Sequence, residues 1–179
     1  SKIFTKKICE KYKIPTAKFG IFNKSKEAIS FIKKNNFPLV VKADGLAAGK
    51  GVLIIDDLEE AKRELKAMLA DAKFGDASSK VVIEEYLDGI ELSVFVLTDG
   101  TNYKILPSAK DYKRIGEGDK GLNTGGMGAY SPAPLVTKDC LNKIVKEIIE
   151  PTINELNKKN IDYRGVIYFG LMITNSGPK

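Results

Sequence analysis

The sequence predicts an α+β fold in which neighbouring strands pair antiparallel. Two apolar runs are joined by a short glycine-rich stretch, a pattern that favours a hairpin over a strand-to-helix turn. Asp-Gly dipeptides separate three further apolar runs, and such turns also connect antiparallel strands. Longer segments repeat apolar residues at the spacing of a helix face.

Two short helices are predicted before the hairpin. The first covers 3–12 and stops before Pro15, because the residue that precedes proline avoids the α-helical region. The second begins after Ser25 and reaches about residue 34. The apolar face of the first helix is expected to consist of Ile3, Phe4, Ile8 and Cys9.

The predicted hairpin is followed directly by a third helix. Apolar runs at 39–41 and 52–55 enclose the glycine-rich stretch 45–51. Asp57 has the position of an N-cap, with Glu60 three residues later as in a capping box. Helical periodicity then continues to Leu69.

In the second half of the chain, a long loop and a long helix are predicted among the strands. Residues 108–134 are rich in glycine and are expected to be irregular, and a loop of this length in a compact domain usually has a function. A single helix begins at Lys138 and continues past Pro151, where we expect a kink. The predicted strands of this half are 81–87, 91–98, 103–107 and 165–173.

Composition excludes several kinds of catalytic site. The chain has 179 residues, of which 43% are hydrophobic and 29% charged, as is typical of globular domains. It contains no histidine, so His-based triads, His general bases and His-ligated metals are excluded. Its two cysteines form no CxxC motif, and no apolar run approaches the about 20 residues of a transmembrane helix. We therefore expect a cytoplasmic location and no membrane partner.

The net charge of +6 favours anionic ligands. Basic chains often bind nucleic acids, but only three of the 29 basic residues are arginine, and the lysines are spread throughout. A solvated lysine-rich surface explains this distribution better than a nucleic-acid patch. The charge therefore favours small polyanions such as nucleotides, and no nucleic-acid partner is expected.

The stretch from Lys42 to Gly51 is the strongest indication of a phosphate site. The P-loop pattern requires four residues between its glycines and Ser or Thr after the lysine. Here three residues separate Gly45 from Gly49, and Gly51 follows Lys50, so this is not a P-loop. Backbone amides among small residues can still approach an anion, and Lys42, at the end of a buried strand, requires an anionic partner. An ordinary flexible hairpin with a solvated Lys50 is the alternative.

Two further segments carry polar groups able to bind a ligand. Glu84, Glu85 and Glu91 lie around an Asp-Gly turn and could hold a metal or a ribose, although solvated acids on an exposed strand are the simpler interpretation. The long loop combines the charged residues 111–114 with the glycine-rich residues 123–134, whose amides and side chains could contact a substrate. A mobile surface loop is the alternative for this second segment.

In this order and at these separations, the segments resemble the ATP-grasp core of the phosphoribosylamine–glycine ligase family, the glycinamide ribonucleotide synthetases. The resemblance covers essentially the whole chain. Its most specific part is Asn-Thr-Gly-Gly-Met-Gly-Ala-Tyr-Ser-Pro-Ala-Pro at 123–134, whereas the glycine hairpin alone indicates only ATP-grasp enzymes in general. The matching segments are 40–52, 82–89, 111–114 and 123–134.

The resemblance implies an ATP-grasp fold, in which the antiparallel sheets of two α+β lobes grip the nucleotide. It implies ligation of glycine to phosphoribosylamine through glycyl phosphate, with ATP and Mg or Mn, in de novo purine biosynthesis. A lid subdomain would cover 15–85, and residues 1–14 and 86–179 would form part of the larger subdomain.

Site residues are carried over from the resemblance by position. The residues implied in catalysis are Lys42, Asp111 and Lys113. Those implied in ATP binding are Lys2, Lys42, Gly45, Ala48, Gly49, Lys50, Gly51, Glu84, Glu85, Tyr86, Leu87 and Glu91, with 84–87 along the adenine and Glu91 on the ribose. Those implied in binding glycine and phosphoribosylamine are Asp111, Lys113, Arg114, Asn123, Thr124, Gly125, Gly126 and Met127.

The chain departs from the family in two respects. Tyr112 stands where the family commonly has histidine, so the resemblance assigns no role to this side chain. The family also continues past the position of Lys179 into a strand whose Glu and Asn hold the metal, and it has further domains on both sides. We therefore expect metal ligands beyond Lys179, none within the chain, and no activity of residues 1–179 without the rest of the parent polypeptide.

Three other functions stay open from the sequence alone, one of which is the nucleic-acid binding suggested by the net charge of +6. Another ATP-grasp carboxylate–amine ligase would share the glycine hairpin, although the segment 123–134 argues against it. A non-catalytic nucleotide-binding module would bind ATP without turning it over.

Overall fold

The computed structural model describes residues 1–47, 51–118, 120–134 and 136–179, except for the side chains of Leu122 and Asn123. Backbone contacts divide the chain into two units. The first consists of Ser1–Ile8 and Thr16–Leu87, and the second of Cys9–Pro15 and Asp88–Lys179. The first helix, α1 (Lys2–Tyr12), contributes residues to both units. The subdomain boundaries predicted above, with a lid over 15–85, concern motion and stay a prediction.

The first unit contains a four-stranded antiparallel sheet with the strand order β1-β4-β2-β3. The predicted hairpin is confirmed, because β2 and β3 pair antiparallel with Leu39 opposite Ile55. Asp57 is confirmed as a helix cap, because its carboxylate accepts from the amides of Glu59 and Glu60. The elements of this unit after α1 are β1 (Phe19–Phe22), α2 (Ser25–Ile32), β2 (Leu39–Ala43), β3 (Val52–Ile55), α3 (Leu58–Leu69), a 3-10 turn (Gly75–Ser78) and β4 (Val81–Glu85).

Because side chains alternate along each strand, one face of this sheet is apolar and the other carries charged side chains. On one face, Leu39, Val41 and Ile83 join the hydrophobic core with buried residues of α2 and α3. Because successive side chains of a strand point to opposite faces, Lys42 and Glu84 lie on the other face. Their strands are paired, with Val40 directly opposite Glu84. The packing of the core thus places a lysine and a carboxylate side by side.

The second unit contains a four-stranded antiparallel sheet, β10-β9-β5-β6, and a two-stranded hairpin, β7-β8. The predicted final strand is confirmed as the long strand β9, which pairs with β5 along nine residue pairs. The elements of this unit are β5 (Ile90–Thr98), β6 (Tyr103–Ile105), β7 (Lys110–Gly116), β8 (Lys120–Tyr130), α4 (Lys138–Ile144), α5 (Glu150–Lys158), β9 (Gly165–Thr174) and β10 (Gly177–Pro178).

The prediction of an irregular segment at 108–134 is wrong. Residues of this segment form the antiparallel hairpin β7-β8, in which Lys110 lies opposite Tyr130 and Asp111 opposite Ala129. The pairing shifts register twice between Tyr112 and Gly116. Glycines and these irregularities interrupt the apolar alternation by which a strand is recognised, so the sequence pattern does not reveal it.

The predicted single helix around Pro151 is confirmed, with an irregularity before the proline. Helical residues run from Lys138 to Lys158, and Val145–Ile149 between α4 and α5 form a π-helical turn. The amide of Glu150 donates to the carbonyl of Val145, five residues back. Proline lacks an amide hydrogen and its ring crowds the carbonyl four residues earlier, so a wider turn accommodates it.

The apolar face predicted for α1 is wrong at Phe4, whereas Ile3, Ile8 and Cys9 are half-buried. Phe4 is 49% exposed, whereas Lys6 is the buried residue of this helix at 8% exposure. Periodicity alone cannot show that the surface against which a helix packs presents a carboxylate. Among the described residues, no helix is both long enough and apolar enough to cross a bilayer.

Candidate functional site

Lys42 and Glu84 form a buried ion pair on the first unit's sheet. The ammonium nitrogen of Lys42 lies 2.8 Å from Oε2 of Glu84. Glu84 is 5% exposed, whereas the side chain of Lys42 is 28% exposed. The chain itself thus supplies the anionic partner that Lys42 requires, and the side chain of Lys42 keeps contact with solvent.

Lys6 is a second cation on the same carboxylate, and the sequence analysis missed it. Its ammonium nitrogen lies 3.3 Å from Oε1 of Glu84, and it donates to the hydroxyl of Thr16 at 2.7 Å. Residues four apart share a helix face, so Lys2 and Lys6 were recognisable as a basic pair on one side of α1.

The amino-terminal turn of α1 is bonded to the start of the glycine-rich stretch. Lys2 donates through Nζ to the carbonyl of Gly45 at 3.1 Å. The carboxylate of Asp44 accepts from the amide of Ile3 at 2.8 Å and from the hydroxyl of Ser1 at 2.8 Å. Partial burial alone would raise the pKa of Asp44, but these donors bring the pKa below its ordinary value.

Close packing explains why small residues occur at both ends of this stretch. A Cβ on Gly45 would lie 2.6 Å from the Cα of Ala77, and one on Gly51 would lie 2.7 Å from the Cβ of Ala47. The amide of Gly45 donates to the carbonyl of Ala77 at 3.0 Å, so the approach is between backbones. The candidate residues Ala48, Gly49 and Lys50 lie outside the described residues.

At the end of β4, the candidate residues Glu85, Tyr86 and Leu87 have different surroundings. The carboxylate of Glu85 accepts from the amide of Lys18 at 2.9 Å, which holds the start of β1. The strand ends at Glu85, so Tyr86 and Leu87 lie beyond the sheet ladder, and Tyr86 is 39% exposed.

In the second unit, Lys113 lies between two carboxylates. Its ammonium nitrogen is 3.3 Å from Oε2 of Glu91 and 3.3 Å from Oδ2 of Asp111. Burial alone would lower the pKa of Lys113. The charge of Glu91 raises this pKa, with smaller contributions from Tyr168 and Asp111, and the net result lies above the ordinary value. Lys113 therefore remains a cation at neutral pH.

The unexpected hairpin brings several candidate substrate residues towards Lys113. The hydroxyl of Thr124 donates to the carbonyl of Lys113 at 2.8 Å and accepts from the amide of Gly126 at 3.1 Å. Gly126 has φ +131, and a Cβ there would lie 3.3 Å from Oδ1 of Asp111. Gly125 lies in β8 directly between Thr124 and Gly126.

The other side of the hairpin is apolar and exposed. Arg114, Met127 and Tyr112 line a cavity of about 440 Å³, and Met127 is 57% exposed. The ring centroids of Tyr112 and Tyr130 lie 6.0 Å apart. The ammonium nitrogen of Lys110 lies 5.1 Å from the centroid of the Tyr112 ring. Asn123 pairs with Arg114 in the ladder, and its side chain lies outside the described part of the chain.

Comparison with known proteins identifies the family. The model of the phosphoribosylglycinamide synthetase ATP-grasp (A) domain matches residues 1–179. The chain belongs to this family. Its ATP-grasp fold, predicted from the sequence, is thereby confirmed.

Relatives of this ATP-grasp domain are close over its whole length. A phosphoribosylamine–glycine ligase of Haemophilus influenzae is 49% identical over 177 residues, which are 99% of this chain and 41% of the relative. One of Streptococcus pneumoniae is 46% identical over 179 residues, 100% of this chain and 43% of the relative. The crystal structure of the phosphoribosylamine–glycine ligase of Thermotoga maritima has a TM-score of 0.90 at 39% identity, covering 99% of this chain and 45% of that one. The chain thus spans less than half the length of these proteins.

The described residues of this ATP-grasp domain do not form a metal site. No group of three or more Asp, Glu or Cys side chains able to hold an ion occurs in the described ranges. The three glutamates considered for a metal are engaged elsewhere: Glu84 with Lys42 and Lys6, Glu85 with Lys18, and Glu91 with Lys113.

Proposed function

We propose that the complete protein containing this chain ligates glycine to phosphoribosylamine, with ATP as the energy source. The names of relatives that are 46–49% identical support this proposal. Glycine's carboxylate oxygen attacks the γ-phosphorus and ADP leaves. The amine nitrogen then attacks the carbonyl carbon of glycyl phosphate, and phosphate leaves as glycinamide ribonucleotide forms.

The observation that carries this proposal is the side chain of Lys42, whose ammonium group is held by Glu84 and which is still partly exposed. An ammonium group has three donors, and Glu84 accepts one hydrogen bond from it. The remaining donors can bind a triphosphate, next to a backbone that packs closely because of Gly45 and Gly51. In phosphoryl transfer, fixed cations supply most of the catalysis by neutralising charge in the transition state.

We further propose that the adenine is bound by the backbone after β4. Backbone groups of Glu84 lie within the ladder, opposite Val40 and Phe19, whereas Tyr86 and Leu87 follow the strand's end. The backbone amide and carbonyl groups of Tyr86 and Leu87 are therefore better candidates than those of Glu84 for binding the edge of the adenine. Glu91, whose side chain is 48% exposed, is proposed to bind the ribose hydroxyls.

Lys113 and Asp111 are proposed to bind the ligated substrates. Lys113 is kept protonated, so it can bind the carboxylate of glycine or the phosphate of phosphoribosylamine. Asp111 accepts from Lys113 and lies against Gly126, where a side chain would restrict a ligand's approach. Thr124, Gly125 and Met127 on the same hairpin are proposed to complete this pocket.

Magnesium or manganese stays part of the proposal, with ligands expected beyond Lys179. The described residues offer no metal cluster, so we derive no step of the reaction through the metal. A cytoplasmic location and the absence of nucleic-acid and membrane partners likewise stay predictions.

The test is ADP formation by the purified complete protein with glycine and phosphoribosylamine. We expect turnover that requires both substrates and that alternative amino acids and amines do not support. Turnover with another acid or amine would favour a different ATP-grasp ligase, and ATP binding without turnover would favour a non-catalytic module. Residues 1–179 alone are expected to give no ADP.

A further inference from the structure

Lys6 is a buried charge for which neither the sequence nor the proposed function provides a role. It is 8% exposed. Burial of an ammonium group is unfavourable unless it is paired and hydrogen-bonded. Its nitrogen meets the carboxylate of Glu84 at 3.3 Å, the hydroxyl of Thr16 at 2.7 Å and the carbonyl of Ala17 at 3.5 Å. These contacts define the position of the Lys6 ammonium from several directions.

Glu84 connects Lys6 to Lys42. Lys6 approaches Oε1 of the carboxylate, and Lys42 approaches Oε2. In this cluster of three described side chains, two ammonium groups face one carboxylate, so their charges sum to +1. This excess charge is accessible at Lys42, because the side chain of Lys42 is 28% exposed and that of Lys6 is 10% exposed.

Without Lys6, the cluster would be a neutral pair. Glu84 would then be balanced by Lys42 alone, and an anion would have to compete with this carboxylate for the ammonium group. In a poorly solvated site such competition is strong, because attraction between charges rises as the effective dielectric constant falls.

We propose that Lys6 is a positioning residue for ATP: it neutralises and fixes Glu84, so that Lys42 keeps its charge for the triphosphate. This inference rests on the proposed use of ATP by the complete protein. Lys6 acts through Glu84 and does not itself touch the nucleotide.

The test is the dissociation constant of a nonhydrolysable ATP analogue, adenylyl imidodiphosphate, measured by calorimetry on the complete protein. Lys6→Met, which keeps the apolar stem, is expected to weaken binding about tenfold or more, as for the loss of a charged hydrogen bond. Lys7→Met is the matched control, because Lys7 is exposed on the same helix, and it should leave binding unchanged.

The decisive variant combines Lys6→Met with Glu84→Gln. The glutamine side chain would carry no charge but would still offer an oxygen acceptor, and Lys42 would regain its excess charge. Binding is therefore expected to return to within about threefold of wild type, a rescue that a merely structural role of Lys6 does not produce. Lys7→Met should also leave the KM for glycine unchanged.

The proposal is overturned if Lys6→Met binds the analogue as wild type does, or if Glu84→Gln fails to restore binding. Lys6→Gln, which can still donate to Thr16, is used with the same criteria should Lys6→Met not fold. If the wild-type complete protein neither binds the analogue nor forms ADP, the proposed function itself fails. Tight wild-type binding with no effect at Lys6 overturns only the present inference.

Discussion

At the scale of single residues, buried charges depend on their neighbours more than on their own chemistry. Glu84 is 5% exposed yet ionised groups surround it, because a carboxylate taken out of water needs cations to replace its hydration. Lys42 and Lys113 are each held by carboxylates and each stays partly exposed. Both side chains therefore combine an ion pair with contact to solvent.

Replacing Lys42 is expected to weaken ATP binding far more than folding. Lys42→Met should raise the KM for ATP of the complete protein by about tenfold to a hundredfold, the range for hydrogen bonds to charged groups. Because Lys6 still balances Glu84, the free energy of unfolding should fall by no more than about 2 kcal/mol. Steady-state kinetics and urea unfolding measure the two effects.

Lys62→Met is the control for this prediction. The side chain of Lys62 is 29% exposed and paired with Glu59, so it matches Lys42 in burial and pairing. The KM for ATP should be unchanged. Equal KM values for Lys42→Met and wild type would remove Lys42 from the phosphate site.

The turn between β5 and β6 provides a pH-dependent contribution to stability. The side-chain amide of Asn102 and the backbone amides of Asn102 and Thr101 donate to Asp99 and lower its pKa to about 2. In the unfolded chain the carboxyl has a pKa of about 3.9. Since the folded pKa is the lower one, this contribution is present above about pH 4 and is lost as the pH falls towards about 2.

Asp99→Asn should therefore lower the melting temperature at pH 6 more than at pH 3. Melting curves of the complete protein at several pH values measure this difference, and Asp71→Asn on an exposed site is the control. A difference between wild type and Asp99→Asn that does not shrink towards acid pH would contradict the interpretation.

At the scale of elements, glycines in this chain have two distinct functions. Gly45 lets two backbone segments approach, since a Cβ there would lie 2.6 Å from the Cα of Ala77. Gly118 and Gly121 instead have φ of +68 and +87, which side chains rarely adopt, and they allow the turn of the β7-β8 hairpin.

Gly45→Ala is expected to disturb the start of the glycine-rich stretch. The added methyl group meets backbone, which yields less easily than a side chain, so unfolding free energy should fall by about 1–3 kcal/mol. ATP binding should weaken as well, because Lys2 is bonded to the carbonyl of Gly45. Urea unfolding and calorimetry of the complete protein measure both.

Leu46→Ala is the neighbouring control, because Leu46 is 95% exposed. It should change neither quantity. If Gly45→Ala has the same free energy of unfolding as the wild type, the backbone near Ala77 accommodates the added methyl group without loss of stability, and the prediction is wrong.

At the scale of the whole molecule, the net charge of +6 and the nucleotide site predict different partners. If ATP is the ligand, the complete protein should gain about 2.7 kcal/mol at an ATP concentration of one hundred times Kd. The melting temperature should therefore rise with ATP and stay unchanged with duplex DNA at physiological salt. A rise with DNA that disappears at high salt, with no response to ATP, would contradict the proposal.

Elements with clear periodicity, and the segments that resemble the ATP-grasp family, were predictable from the amino-acid sequence. The hairpin of β2 and β3, the cap at Asp57 and the long strand β9 follow from local patterns, because each depends on residues close together in the chain. The need of Lys42 for an anionic partner was also recognisable, since burial of a charge is unfavourable whatever the fold.

Contacts between groups that are distant in the sequence became visible only in the folded chain. Lys6 and Glu84 are far apart in sequence, and their side-chain contact joins α1 to β4, whereas the sequence pattern predicted an apolar face for α1. The hairpin β7-β8 likewise depends on pairing between strands whose glycines and register shifts obscure the local pattern. Ion pairs and strand pairs form between groups that are close in space. Their members can therefore be distant in the sequence, where a local pattern does not show them.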